Sequence, residues 1–497
     1  MRHNYKTDKG FRSLVGNISN RIDMWINVSK IFLILFAGIT TLNISCKKLV
    51  EIPAPEGTIT TPQVFETEAV ATAAMAGVYH TMINANGTNL SNGAITIWAG
   101  TSADEFRFFL TNNSANNEFL NNNLSSSNAK LQGAFWQNGF SIIYGANSII
   151  EGLNTSTGIR DSVKSELIAE AKFVRAFCNF YLTNLFGDIP IVNDINWRVT
   201  KTLSRSGTTD VYHQIITDLM DAYNILPENF SVGKGQRIIP NKYAAAALLA
   251  RVYLYTGDWE KAEQAANDII SNSTMYTLEN NLDDVFKINS SETIWQLQQS
   301  NTTFPYYATA EGYQVIPYDA TSQPFIYLRE ELLNAFEETD KRKQQWVDST
   351  VYANTTYYYP KKYRIGEAQQ SSIGEYVEYY MVFRLAEQFL IRAEAKAQQD
   401  KLIEAVNDIN MIRERAGLHS LPPDQNKAQI LEAIEQERKA EFFAEWGHRW
   451  LDLKRWNKAD MELGPIKGNN WQSSDQLYPI PVADLLTNPN LTQNQGY

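Results

Sequence analysis

The densest group of chemically capable side chains lies near the C-terminus: Glu437, Arg438, Glu441, Glu445, Arg449, Asp452 and Arg455. Carboxylates beside guanidiniums can run acid–base chemistry when neighbouring charges move their pKa values. Here the spacing is helical: Glu441–Glu445 and Glu445–Arg449 stand four apart, and Arg438–Glu441 three apart. Neighbours on one helix face explain most of the block, so a structural ion-pair network is expected, with Trp446, Trp450 and Trp456 packed beneath it. Asp104–Glu105 and Asp283–Asp284 are adjacent carboxylates, whereas glycosidases need two carboxylates separated in space across a sugar. His3, His80, His213, His419 and His448 are scattered with no metal-ligand spacing. No nucleophile elbow, phosphate-binding loop or complete dinucleotide fingerprint occurs either. No catalytic residue, metal or cofactor is expected.

The two cysteines play different parts. Cys178 shares a three-and-four spacing with Leu167, Ala171, Val174, Tyr181 and Leu185, the buried stripe of a helix, and reads as a small core hydrophobe. Cys46 follows a basic segment (Arg2, Lys6, Lys9, Arg12, Arg21, Lys30), the apolar run Ile31–Ile39 and the small, polar Thr40–Ser45. That order is an export signal, and the apolar run is too short to span a bilayer. Met24–Ser45 alone forms a compact signal, which makes Met24 an alternative start. Cys46 directly after Ser45 resembles the lipobox of bacterial lipoproteins, in which the cysteine is acylated, so Cys46 is the expected lipid attachment. Several acyl chains anchor a protein stably where one does so only marginally.

The expected organisation is a signal over 1–45, a proline-containing tether over 46–62, and one domain over 63–497. That domain has an N-terminal part (63–230) and a C-terminal part (231–497) interrupted by an insertion at 273–380. Helical periodicity marks Gln132–Leu153, Ser165–Phe186, Thr209–Leu226 and Asn241–Ser271. Residues 111–128, rich in Asn and Ser, read as a surface loop. Small residues at Tyr243–Tyr253, a turn at Gly257-Asp-Trp259 and a helix from Lys261 resemble a tetratricopeptide hairpin. In a second copy, Ala393, Asp400, Leu402, Ala405 and Ile412 fall where Ala250, Gly257, Trp259, Ala262 and Ile269 fall in the first. The fold class expected is all-α: tetratricopeptide-like pairs in a superhelix, an irregular loop-rich face and little β structure.

The 497 residues carry 44 Lys+Arg against 55 Asp+Glu, net −11, which disfavours a nucleic-acid partner. Aromatics are abundant, with 11 Trp, 25 Tyr and 23 Phe, and many fall on proline-broken backbone in the insertion, where loops expose side chains. Exposed rings offer a stacking surface for a ligand while polar groups beside them take its hydrogen bonds. The expected ligand-binding residues are Trp98 with Asp104 and Arg107, and the loop bearing Tyr306, Tyr307, Tyr313 and Tyr318.

Several segments together resemble the SusD/RagB family of surface lipoproteins. They are Glu170–Phe177 leading into Leu185-Phe-Gly-Asp-Ile-Pro190, Ala247–Tyr255, Tyr380–Ala397, Glu437–Phe442, Gly447–Trp456, and Tyr478-Pro-Ile-Pro481 through Tyr497. The resemblance implies a helical binding module that is not an enzyme. It implies a lipid anchor in the outer membrane facing the exterior, an oligosaccharide or other nutrient as ligand, and a SusC-like TonB-dependent transporter as partner. The alternative is a tetratricopeptide-type scaffold lipoprotein that assembles other envelope proteins.

Overall fold

A computed structural model of the chain describes residues 64–83 and 88–497. The expected signal, the tether and Cys46 lie outside the described residues. Helices dominate, as the all-α expectation requires, and β structure among the described residues is limited to three two-stranded antiparallel sheets and a few isolated bridges.

The scaffold is a series of antiparallel helices, each packed on the next. They are α1 (Glu68–Ile83), α2 (Asn138–Thr155), α3 (Asp161–Phe186), α4 (Thr208–Ile225), α5 (Lys242–Thr256), α6 (Trp259–Ile270), α7 (Leu385–Gln398), α8 (Leu402–Arg415) and α9 (Lys427–Glu441). Contacts run from α1 to α2 and onward in order to α8, and α9 lies against both α7 and α8. Residues 271–384 leave the stack between α6 and α7, yet those two helices pack directly, so the insertion interrupts the chain and not the superhelix. Two shorter helices, α10 (His448–Arg455) and α11 (Ala459–Lys467), follow α9.

Local sequence explains the hairpins. Asn241 caps α5 by accepting the Ala244 amide, and Gly257 ends it in a left-handed turn (φ 74°). Asp258 then caps α6 by accepting the Lys261 amide. Asp400 (φ 60°) takes the same turn between α7 and α8. Ala244–Ala247 and Ala250 are buried and carry the small side chains that let neighbouring helices approach closely. Cys178 lies fully buried on α3, and burial pushes its thiol far above the usual range, as suits a core residue.

The strands gather the insertion. β2 (Thr293–Leu297) pairs with β6 (Tyr380–Arg384), and both are buried along their whole length. β1 (Phe106–Phe108) pairs with β3 (Ile326–Leu328), and β4 (Val347–Tyr352) with β5 (Thr355–Pro360). The β4–β5 turn places Ala353 and Asn354 at φ 49° and 61°, the two-residue turn whose twist matches a hairpin. Two differences from expectation are local. The Asn-rich segment contains a helix, Ser114–Asn121, and the helix expected from Gln132 begins as a π-helical stretch, Leu131–Gln137.

Candidate functional site

The C-terminal charged block is buried and internally paired. Glu441 accepts from Arg342 at 3.0 Å and from Arg384 and Arg415. Glu437 accepts from Arg342 at 2.5 Å, and Glu445 takes Arg384 at 2.8 Å through each oxygen and also Lys362. Burial alone would raise the Glu441 pKa, but Arg415, Arg384 and Arg342 overcome it and hold the carboxyl well below its usual range. Burial pulls Lys362 down to about 8, against the opposing pull of Glu445.

The network expectation holds, but the pairing scheme does not. α9 ends at Glu441, so Glu445 and Arg449 are not its helix neighbours. Arg438 pairs with Asp452 at 2.7 Å and Arg449 with Asp104 at 2.8 Å. Every acid in the block is already held by a base.

Two of the expected ligand residues belong to this interior. Trp98 is 1 % exposed and packs against Phe108 at 5.4 Å and Phe119 at 5.5 Å, with Lys130 Nζ 4.5 Å over its ring. No sugar can lie on a ring already covered on its faces, so Trp98 is a core residue. Asp104, also 1 % exposed, accepts Arg449 at 2.8 and 3.0 Å and Lys439 at 3.1 Å. Those cations outweigh the upward push of burial and hold its carboxyl far below the ordinary range. It ties the segment before β1 to α9 and α10 and is buried away from any ligand hydroxyl.

The remaining residues are at the surface. Arg107 is exposed on β1. Tyr306, Tyr307 and Tyr313 are half-buried, and Tyr318 is 59 % exposed. The loop is itself organised by ring contacts: Phe304 lies 4.6 Å from Tyr313 and 6.4 Å from Tyr306, and Tyr307 lies 5.1 Å from Tyr376. Tyr376 in turn anchors through its hydroxyl, which donates to the Gln299 carbonyl at 2.8 Å.

A second aromatic group adjoins Arg107. The β1–β3 register sets Arg107 opposite Tyr327, and the Phe109 amide extends the ladder to the Phe325 carbonyl at 3.1 Å. Strand alternation then turns Arg107 and Phe109 away from buried Phe106 and Phe108. Tyr357 of β5 meets Tyr327 at 5.1 Å and Phe109 at 5.3 Å, while Tyr352 meets Phe109 at 5.5 Å. The loop after Tyr318 is strapped to β4, where the Val351 amide donates to the Ala320 carbonyl and Thr350 to that of Ser322. Segments far apart in sequence thus contribute rings to one outward face. Tyr327 and the tyrosines at 357–363 stand out in the sequence, but only the pairing of β1 with β3 links them to Arg107. Among the described residues no group of His, Cys, Asp or Glu could hold a metal ion.

Against known proteins, one family model, described as "SusD family", matches residues 304–497. A second, described as "Starch-binding associating with outer membrane", matches residues 58–254. The chain belongs to the SusD/RagB family. "SusD-like protein P2" of Formosa agariphila is 27 % identical and is aligned over 94 % of this chain and 100 % of its own length. The fold is shared with a SusD superfamily protein from Bacteroides vulgatus at a TM-score of 0.74 and 22 % identity, covering 86 % of this chain and 99 % of that one. A "Laminarin binding SusD-like protein" superposes at 0.72 with 22 % identity, covering 87 % and 100 %. Within this SusD/RagB scaffold the helices form the frame, and the outward rings lie on the insertion and on β1.

Proposed function

We propose that the protein is a non-enzymatic, surface-exposed glycan-binding lipoprotein of the outer membrane, anchored through Cys46, which delivers its ligand to a SusC-like TonB-dependent transporter. The outward face of Phe109, Tyr327, Tyr352 and Tyr357 carries this reading. Its rings stand in contact with one another at the surface, beside an exposed arginine, in the arrangement that suits a run of sugar rings. The family description "Starch-binding associating with outer membrane" and the laminarin-binding structural relative support the class of ligand. The loop of Tyr306, Tyr307, Tyr313 and Tyr318 leads into the segment strapped to β4 and is proposed to extend the face.

Calorimetric titration of the intact protein with a panel of polysaccharides tests the proposal. Tyr327→Ala combined with Tyr357→Ala is expected to weaken capture by about 2 kcal/mol, roughly thirty-fold, with an unchanged melting temperature. Unaltered affinity in that variant, or no binding by the parent, would refute it. Membrane fractionation of Cys46→Ser, which should leave the membrane pellet, checks the anchor.

A further inference from the structure

The aromatic face is bordered by two guanidiniums, of Arg107 and Arg329, that donate no hydrogen bond among the described residues. Arg107 projects into solvent opposite Tyr327, and its side chain forms no ion pair or hydrogen bond among the described residues. Arg329 follows β3 and is 4 % exposed. Its amide donates to the Glu105 carbonyl at 2.9 Å, which fixes where its side chain leaves the backbone. Its Nε is buried with no hydrogen-bond acceptor among the described residues. Glu331 pairs with it as an ion pair at 3.6 Å, too long for a hydrogen bond. Positions related as Arg107 and Arg329 are, diagonally across an antiparallel pair, lie about 7–8 Å apart, within reach of two long side chains converging on one group.

The surroundings answer this pair only in part, through Glu331 and, more weakly, Asp104, which favour the charged form of Arg329. Asp104 is committed to Arg449 and Lys439. Glu105 is pushed up to about 8 by burial and then by Asp104, so it is largely uncharged at neutral pH. Lys467 adds a third basic group, its amine donating to the Thr101 and Leu120 carbonyls at 2.8 Å each. Burial first, and then Arg329 and Arg107, weaken its hold on a proton. Arg329 is likewise lowered by burial and then by Arg107. A buried guanidinium nitrogen with no hydrogen-bond acceptor, set beside a second guanidinium, is costly for the protein alone, and an arriving anion relieves that cost.

We propose that Arg107 and Arg329 form an anion subsite at the edge of the Tyr327–Tyr357 face, and that the glycan taken there is acidic, bearing carboxylate or sulfate groups. A guanidinium matches either group with two parallel N–H···O bonds, while the ring carrying it lies on Tyr327. The subsite rests on the glycan-binding reading above and narrows it to charged polysaccharides.

The test is titration of the intact protein with two matched pairs: polygalacturonate against its methyl ester, and dextran sulfate against dextran. The charged member of at least one pair should bind about tenfold tighter than its neutral partner. A margin in the first pair alone identifies a uronate ligand, and in the second alone a sulfate ester. Arg107→Gln, at an exposed position, should abolish the margin without changing the melting temperature. Arg329→Lys, which keeps the charge and loses the fork, should reduce it. Equal affinity within both pairs, or a margin that survives Arg107→Gln, overturns the subsite while leaving glycan capture standing. Absence of binding to all four polysaccharides overturns both.

Discussion

Glu170 shows what a single buried acid contributes. It accepts the Tyr79 hydroxyl at 2.7 Å, and burial, with a smaller push from Glu166, raises its pKa from 4.5 to about 8. The folded protein therefore holds a proton that the unfolded chain releases above 4.5, and stability falls as pH rises through that window. Glu170→Gln supplies the neutral form permanently, with an amide oxygen still able to accept Tyr79. The variant is expected to melt with the parent near about pH 5 and several degrees above it near about pH 8.5, by thermal scans at both values. A constant difference across that range would rule out titration of Glu170. The same scale explains why Trp98 and Asp104 read as ligand contacts in the sequence. An aromatic beside a carboxylate has the composition of a sugar site, but the Asp104–Arg449 pair spans 345 positions, and no local pattern announces it.

The elements that were legible are those whose signals are local. The α5–α6 and α7–α8 hairpins follow from helical period, cap and turn, and Gly257 and Asp400 hold corresponding left-handed positions. A Cβ at Gly257 would meet only Trp259, at 3.6 Å and beyond, so steric room is not the constraint there. Gly257→Ala is expected to cost about 1 kcal/mol through backbone strain alone, read by urea denaturation. Asp400→Gly should relax the same strain and shift the midpoint the other way. A Gly257→Ala midpoint equal to the parent's would show that the turn adjusts. The Asn-rich segment was misleading because asparagine serves both loops and helix ends. Asn113 caps the Ser114–Asn121 helix by accepting the Asn116 amide, and Asn122 (φ 57°) closes it. The aromatic face was illegible for a different reason. It depends on β1, which precedes α2, meeting β3, which follows α6, and strand pairing at such sequence separation leaves no periodic trace.

At the scale of the molecule, the buried charge network joins the insertion to the superhelix. Glu441 at the end of α9 holds Arg342 from the insertion, Arg384 at the β6–α7 junction and Arg415 from the end of α8. Glu292, beside β2, also takes Arg415 and faces Arg384 at 3.7 Å. Three chain segments thus share one set of counter-charges, and none can leave without exposing unpaired charge in the others. Glu441→Gln keeps the side-chain shape but removes the acid common to all three arginines. It is expected to cost about 3–5 kcal/mol, the penalty for breaking a buried pair. Because the network bridges insertion and superhelix, tryptophan fluorescence and far-UV circular dichroism should still report coincident urea transitions in parent and variant. Trp346 lies in the insertion beside this network, whereas the dichroism comes mainly from the stacked helices. If the two probes separate in the parent, the insertion is an independent folding unit, and the buried charges do not unite the structure.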